Sequence, residues 1–174
     1  MKKEIIDLLT KLTKIPSNYP SEKKISTFLQ SELKARGFKV TKQHVSDDRY
    51  NIFAEKGYGV KSVLFYGHID TVSVLGSEKW KTDPFKLKIK GDKAYALGAS
   101  DMKGGISAFI EAATGTNAPV KIFLAVDEEN ISEGAWYSVK KNRDFFRDLN
   151  LIISAEPSFG LGLNGITTAR TGRC

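Results

Sequence analysis

The chain has 174 residues, 41% hydrophobic and 27% charged, with a formal net charge of +7. That length and balance suit one globular domain with a core of its own, and no apolar run approaches the roughly 20 residues a membrane span needs. The lysines are scattered from Lys2 to Lys141 and form no basic run interleaved with aromatics, which argues against a nucleic-acid interface.

In chain order, residues 3–14 and 21–36 read as amphipathic helices separated by Pro16, Asn18 and Pro20. Ser21 is the expected N-cap and Gly37 the expected C-cap of the second. The alternation of apolar and charged residues near the start marks a helix and not a signal peptide. Residues 38–45, 50–54 and 63–66 read as strands, the last nearly all apolar and so expected to be buried on both faces. Residues 85–89 and 94–97 flank Gly91-Asp92 as a hairpin. A helix rich in small residues runs from Lys103 to Ala113, an apolar strand from Val120 to Val126, a helix from Gly134 to Phe146 and a last apolar strand from Leu149 to Ser154. Alternating strands and helices predict an α/β, three-layer architecture with a mostly parallel central sheet and helices on both faces. Cys174 is the single cysteine, so no internal disulfide is expected and the default location is cytoplasmic.

Four segments place acidic or imidazole groups just after strand-like runs: Gly67-His68-Ile69-Asp70, Ala99-Ser100-Asp101-Met102-Lys103-Gly104-Gly105, Asp127-Glu128-Glu129 and Ala155-Glu156-Pro157. Strand ends are where an open α/β sheet displays its site. One His and several carboxylates brought together there can hold two divalent metals around a shared water. His68 and Asp70, two apart in an extended segment, point the same way. That suits a metal-ligating imidazole and a carboxylate that orients it. Asp101 has two oxygens and so can bridge two metals, although Asp before a helix also serves as an N-cap. Glu128 and Glu129 diverge in direction, so one can bind metal while the other handles a proton. Each segment alone has an ordinary structural reading, as a polar strand end or a solvated acidic turn; the four together favour the metal site.

These segments, with Trp80 and Asp83-Pro84-Phe85, resemble the catalytic domain of the M20 metallopeptidase family, which includes acetylornithine deacetylase, succinyl-diaminopimelate desuccinylase and carboxypeptidase G2. Order and spacing agree over roughly residues 1–170. The resemblance implies a zinc-peptidase-like fold and two divalent metals, zinc above cobalt or manganese. It implies that His68, Asp101, Glu129 and Glu156 are metal ligands, with Asp101 the bridge, and that Asp70 orients His68. It makes Glu128 the general base. The substrate would be a small N-acyl amino acid or peptide, cleaved at its amide bond in a deacetylase-like reaction of arginine or lysine biosynthesis, by an enzyme without nucleic-acid or membrane partners that can form a homodimer.

The chain departs from the family in length. Residues 1–164 match the N-terminal part of the catalytic domain, and residues 165–174 resemble the start of a lid and dimerisation domain, so a truncated form is expected. His44 and His68 are its two histidines, and His44 precedes every motif. The second metal therefore lacks a His, and the 174-residue chain itself is expected to hold one metal or none and to be inactive. The competing expectation is a non-catalytic folded fragment that self-associates; a basic nucleic-acid module rests on charge alone.

Overall fold

The computed structural model describes residues 2–75 and 79–157. The expected lid-domain start at 165–174 lies outside them. Helices α1 (Lys2–Thr13) and α2 (Lys23–Ala35) bury stripes at helical spacing: Leu8, Leu9 and Leu12 on the first, and Ile25, Leu29 and Leu33 on the second. Glu22, not Ser21, occupies the N-cap of α2 and makes no side-chain cap bond. Its carboxylate is buried and bound instead to Arg49. At the other end Arg36 is the C-cap and Gly37 follows it at φ +83°, where glycine avoids the Cβ penalty. The Gly37 amide donates to the Lys34 carbonyl and the Phe38 amide to the Leu33 carbonyl, a Schellman pair.

The main sheet contains β1 (Lys39–Ser46), β2 (Arg49–Lys56), β3 (Ser62–His68), β6 (Val120–Ala125) and β7 (Leu149–Ser154), in the order β1-β2-β6-β3-β7. β4 (Lys88–Lys90) and β5 (Lys93–Tyr95) form a separate hairpin over Gly91-Asp92. The main sheet is mixed. β1 with β2 and β2 with β6 are antiparallel, whereas β3 pairs in parallel with both β6 and β7. Connection length explains the split. Asp47-Asp48 is too short for anything but a reversal, whereas α3 (Lys103–Thr114) and α4 (Glu133–Lys141) lie within the longer crossovers that lead to β6 and β7. The C-terminal ends of β3, β6 and β7 therefore share one edge. Because β2 runs against β6, with Ile52 opposite Leu124, the start of β2 reaches that edge too.

One face of the sheet, with Ile52, Ala54, Ile122 and Leu124, packs against α1, α2 and α3. The other presents Phe53, Leu64, Phe123 and Ala125, against which Phe145 and Phe146 pack. That second contact shortens the expected 134–146 helix. α4 stops at Lys141, Asn142 departs to φ −130°, and Arg143–Phe146 form a 3-10 turn. The turn sets Phe145 4.7 Å from Phe53 and Phe146 5.5 Å from Phe123, ring centre to ring centre. Packing of two partly buried aromatic rings against this face replaces continued helix. β7 is an edge strand among the described residues, and Leu151 and Ile152 are 53% and 59% exposed despite its apolar sequence. No described helix is long and apolar enough to cross a membrane.

Candidate metal centre

His68 is the last residue of β3, and its imidazole is fully buried. Its main-chain amide donates to the Met102 sulfur at 3.1 Å, which ties the strand end to the loop before α3. On the inner side of the ring, Nδ1 lies 3.1 Å from the main-chain carbonyl of Asp70 and 3.5 Å from its carboxylate Oδ1. The carbonyl thus makes the hydrogen bond expected of the carboxylate, and the carboxylate contributes charge from slightly farther away. The other carboxylate oxygen, Oδ2, accepts the Glu129 amide at 2.9 Å. Burial pushes the Asp70 carboxyl up, but His68 and these amide donors outweigh it and hold it below its ordinary value.

On the outer side, Nε2 of His68 faces three carboxylates: Asp101 Oδ1 at 3.1 Å, Glu156 Oε2 at 3.8 Å and Glu128 Oε2 at 3.9 Å. Asp101 comes from the loop before α3, Glu128 from the turn after β6 and Glu156 from the segment after β7. Ligand atoms of His68, Asp101 and Glu156 all lie within 4.8 Å of one another. A tetrahedral ion with bonds of about 2.1 Å separates its ligand atoms by about 3.4 Å. The donor set therefore matches a divalent cation in spacing and in chemistry, one imidazole nitrogen with carboxylate oxygens. Burial by itself would lower the His68 pKa; Asp70, Glu156 and Glu128 more than reverse it, to about 9. A cluster that anionic holds a cation strongly, whether a proton or a metal.

Glu129 stands apart from this cluster. Burial, and then the Asp101 charge, raise its carboxyl above the ordinary value, so it lies within electrostatic reach of the centre. Asp127, the first acid of the triplet, serves a different purpose. Its carboxylate is fully buried beside the Arg49 guanidinium, 2.9 Å from Nη2. The positive charge that a cluster of acids demands is thus supplied at Asp127 by an arginine. His44 is in β1 with Nε2 2.6 Å from the Asp47 carbonyl, outside the cluster.

Sequence reasoning missed four supports. Met102 and the buried Lys103, whose ammonium donates to the Ile15 carbonyl at 2.9 Å, fasten the Asp101 loop. With burial as the cause, the Lys103 pKa falls to about 8. Arg49 and Asn51, alternate residues of β2, contact the acidic turn. The available signal was two polar residues on one face of β2 just before its apolar stretch Ile52-Phe53-Ala54.

The family model for peptidase family M20/M25/M40 matches residues 64–167. The chain is 35% identical to a succinyl-diaminopimelate desuccinylase of Beijerinckia indica over 117 residues, which cover 65% of this chain and 30% of that protein. It is 39% identical to an acetylornithine deacetylase of Vibrio vulnificus over 106 residues, 58% of this chain and 28% of the relative. The crystal structure of an M20 family metallo-carboxypeptidase from Sulfolobus solfataricus superimposes with a TM-score of 0.75 at 24% identity, covering 87% of this chain and 37% of that one. The chain spans about a third of the length of the curated relatives it matches.

Proposed function

The chain belongs to peptidase family M20/M25/M40, and on that footing we propose that it supplies the metal site of a hydrolase that cleaves the amide bond of an N-acylated amino acid or short peptide. The observation that carries the proposal is the convergence of His68, Asp101 and Glu156 from three separate segments onto one point. The names of the relatives make an N-acetyl or N-succinyl diamino acid the first substrates to try.

In this reading His68, Asp101 and Glu156 would hold one ion, zinc by preference for this donor set, and Asp101 with Glu129 would help to hold a second. Metal ions at such a centre polarise the scissile carbonyl and make a water acidic. Asp70 keeps the His68 ring oriented through its carbonyl and its negative charge. Glu128 is partly exposed beside the donor cluster. It is the base that takes a proton from the attacking water and returns it to the departing amine nitrogen, completing hydrolysis. Among the described residues a second ion would have Asp101 and Glu129 as protein donors, short of the three usual for catalytic zinc.

Zinc titration tests the site. His68→Ala, Asp101→Ala and Glu156→Ala should each weaken binding at least a hundredfold, whereas Glu128→Ala should leave it within about threefold. In a turnover-competent protein bearing this segment, Glu128→Ala should lower kcat by about 10²–10⁴. Unchanged zinc binding by the His68 and Asp101 variants would remove the proposal.

A further inference from the structure

The turn that carries Glu128 and Glu129 has an unusual internal frame. Asp127 sits at φ +69°, a conformation rare for a residue other than glycine. Its Oδ2 accepts the Glu133 amide at 3.0 Å, its Oδ1 accepts the Asn130 side-chain amide at 3.2 Å, and its carbonyl accepts the Ser132 amide at 2.6 Å. One residue, through its side chain and its carbonyl, thus pins the turn from 127 to 133 from inside.

Asp127 is itself held from β2. Arg49, 2% exposed, touches three carboxylates: Nε donates to Glu22 at 3.1 Å, Nη1 donates to Glu133 at 3.1 Å, and Nη2 lies 2.9 Å from Asp127. Nη1 also donates to the Ser46 hydroxyl at 3.1 Å, and the Tyr19 ring lies 4.6 Å from the guanidinium carbon. Among the described residues Arg49 is the basic partner of all three acids. Two places along β2, and so on the same face, Asn51 closes the two ends of the segment. Its Oδ1 accepts the Val126 amide at 3.1 Å and its Nδ2 donates to the Gly134 carbonyl at 2.8 Å. The fit is close: a Cβ on Gly134 would lie 2.5 Å from Asn51 Oδ1.

We infer that Arg49 is a positioning residue, which fixes the turn 127–133 in the shape that presents Glu128 and Glu129 to the His68 centre; the inference rests on the metal-hydrolase reading above. A planar fork meets the three carboxylates with three different nitrogens; the ammonium of lysine also has three N–H donors, but on one compact nitrogen that cannot span the same three places. Arginine, rather than positive charge as such, is therefore what the site uses.

The test compares the wild-type chain with Arg49→Lys and Asp127→Asn. Amide hydrogen exchange is measured on metal-free protein, and zinc affinity by titration. Exchange at Glu129, Ser132 and Glu133 should accelerate at least tenfold in Arg49→Lys, with amides of β3 and α3 within about threefold of wild type. Zinc affinity should fall about tenfold, because the Glu129 amide of this turn donates to Asp70, which orients the His68 ring, and losing such a support usually costs about that much. Asp127→Asn should do the same, and the double variant should lose little more. Wild-type exchange in the turn would overturn the inference. So would an equal rise throughout the molecule, which marks a general structural role, and so would a loosened turn with unchanged zinc affinity. His68→Ala separates the two readings: if that variant binds zinc as wild type does, the metal centre is misassigned whatever the turn amides show.

Discussion

Gly105→Ala perturbs the proposed centre from behind without touching a donor. Gly105 is the third residue of α3, and a Cβ there would lie 2.7 Å from the Ala155 Cβ and nearer still to the Ala155 carbonyl oxygen. Apolar carbons rest at about 3.5–4.0 Å, so the 155–156 segment must retreat by about 1 Å. Glu156 follows Ala155 directly, and its Oε2 lies 3.8 Å from His68 Nε2. Metal–ligand bonds tolerate displacements of only about 0.2 Å, so a shift of that size should weaken zinc binding by about 10–100-fold. Stability should respond differently. Alanine improves helix propensity by up to about 1 kcal/mol, while overpacking costs about 1–3 kcal/mol. The net loss is therefore about 0–2 kcal/mol, which urea unfolding in EDTA reads separately from a chelator-competition measurement of zinc affinity. Gly115→Ala is the control, since a Cβ there meets nothing closer than 3.6 Å. It should leave zinc affinity unchanged. If Gly105→Ala lowers the urea midpoint but binds zinc within twofold of wild type, the placement of Glu156 does not matter to the ion and the reasoning fails.

Two further predictions concern the scaffold. Phe53→Ala removes a buried ring stacked 4.8 Å from Phe123 and should cost about 3–5 kcal/mol by urea unfolding; a loss under 1 kcal/mol would mean that the aromatic face contributes little. Burial raises the Glu22 carboxyl above its ordinary 4.5, outweighing the Arg49 partnership. The folded state therefore keeps that proton longer than the unfolded chain, and the stability owed to this group declines as pH rises from about 4.5 through the folded value. Glu22→Gln lacks that decline. The stability difference between variant and wild type should move in favour of the variant between about pH 4 and pH 7, and a flat or opposite trend would refute the assignment.

Periodicity and turn chemistry located the elements to within a few residues: the stripes of α1 and α2, the Gly37 terminus and the Gly91-Asp92 hairpin are all local signals. Pairing direction was less accessible. Apolar strands separated by helices suggested a mostly parallel sheet, but whether β2 lies beside β3 or beside β6 depends on burial across the whole layer. The break at Asn142 was equally hidden, because it answers to Phe53 and Phe123 far away in sequence. At the centre, His68, Asp101, Glu128 and Glu156 could be read from their positions after strand-like runs. The opposite fates of Asp127 and its two neighbours could not, because Asp127 faces inward only once Arg49 has been delivered by an antiparallel strand. Nor could the carbonyl of Asp70, rather than its carboxylate, be foreseen as the acceptor nearest the His68 ring.

The exposed edge strand has a thermodynamic consequence. β7 pairs with β3 alone among the described strands and brings little buried apolar surface to the sheet, so it is weakly held within the main sheet. Glu156 travels with it. His68 and Asp101 meet without β7, but the third donor arrives only when that strand is docked. Detachment of the edge and opening of the centre are therefore one equilibrium viewed from two sides. A cation bound by the three donors would close that equilibrium and so act as a latch on β7.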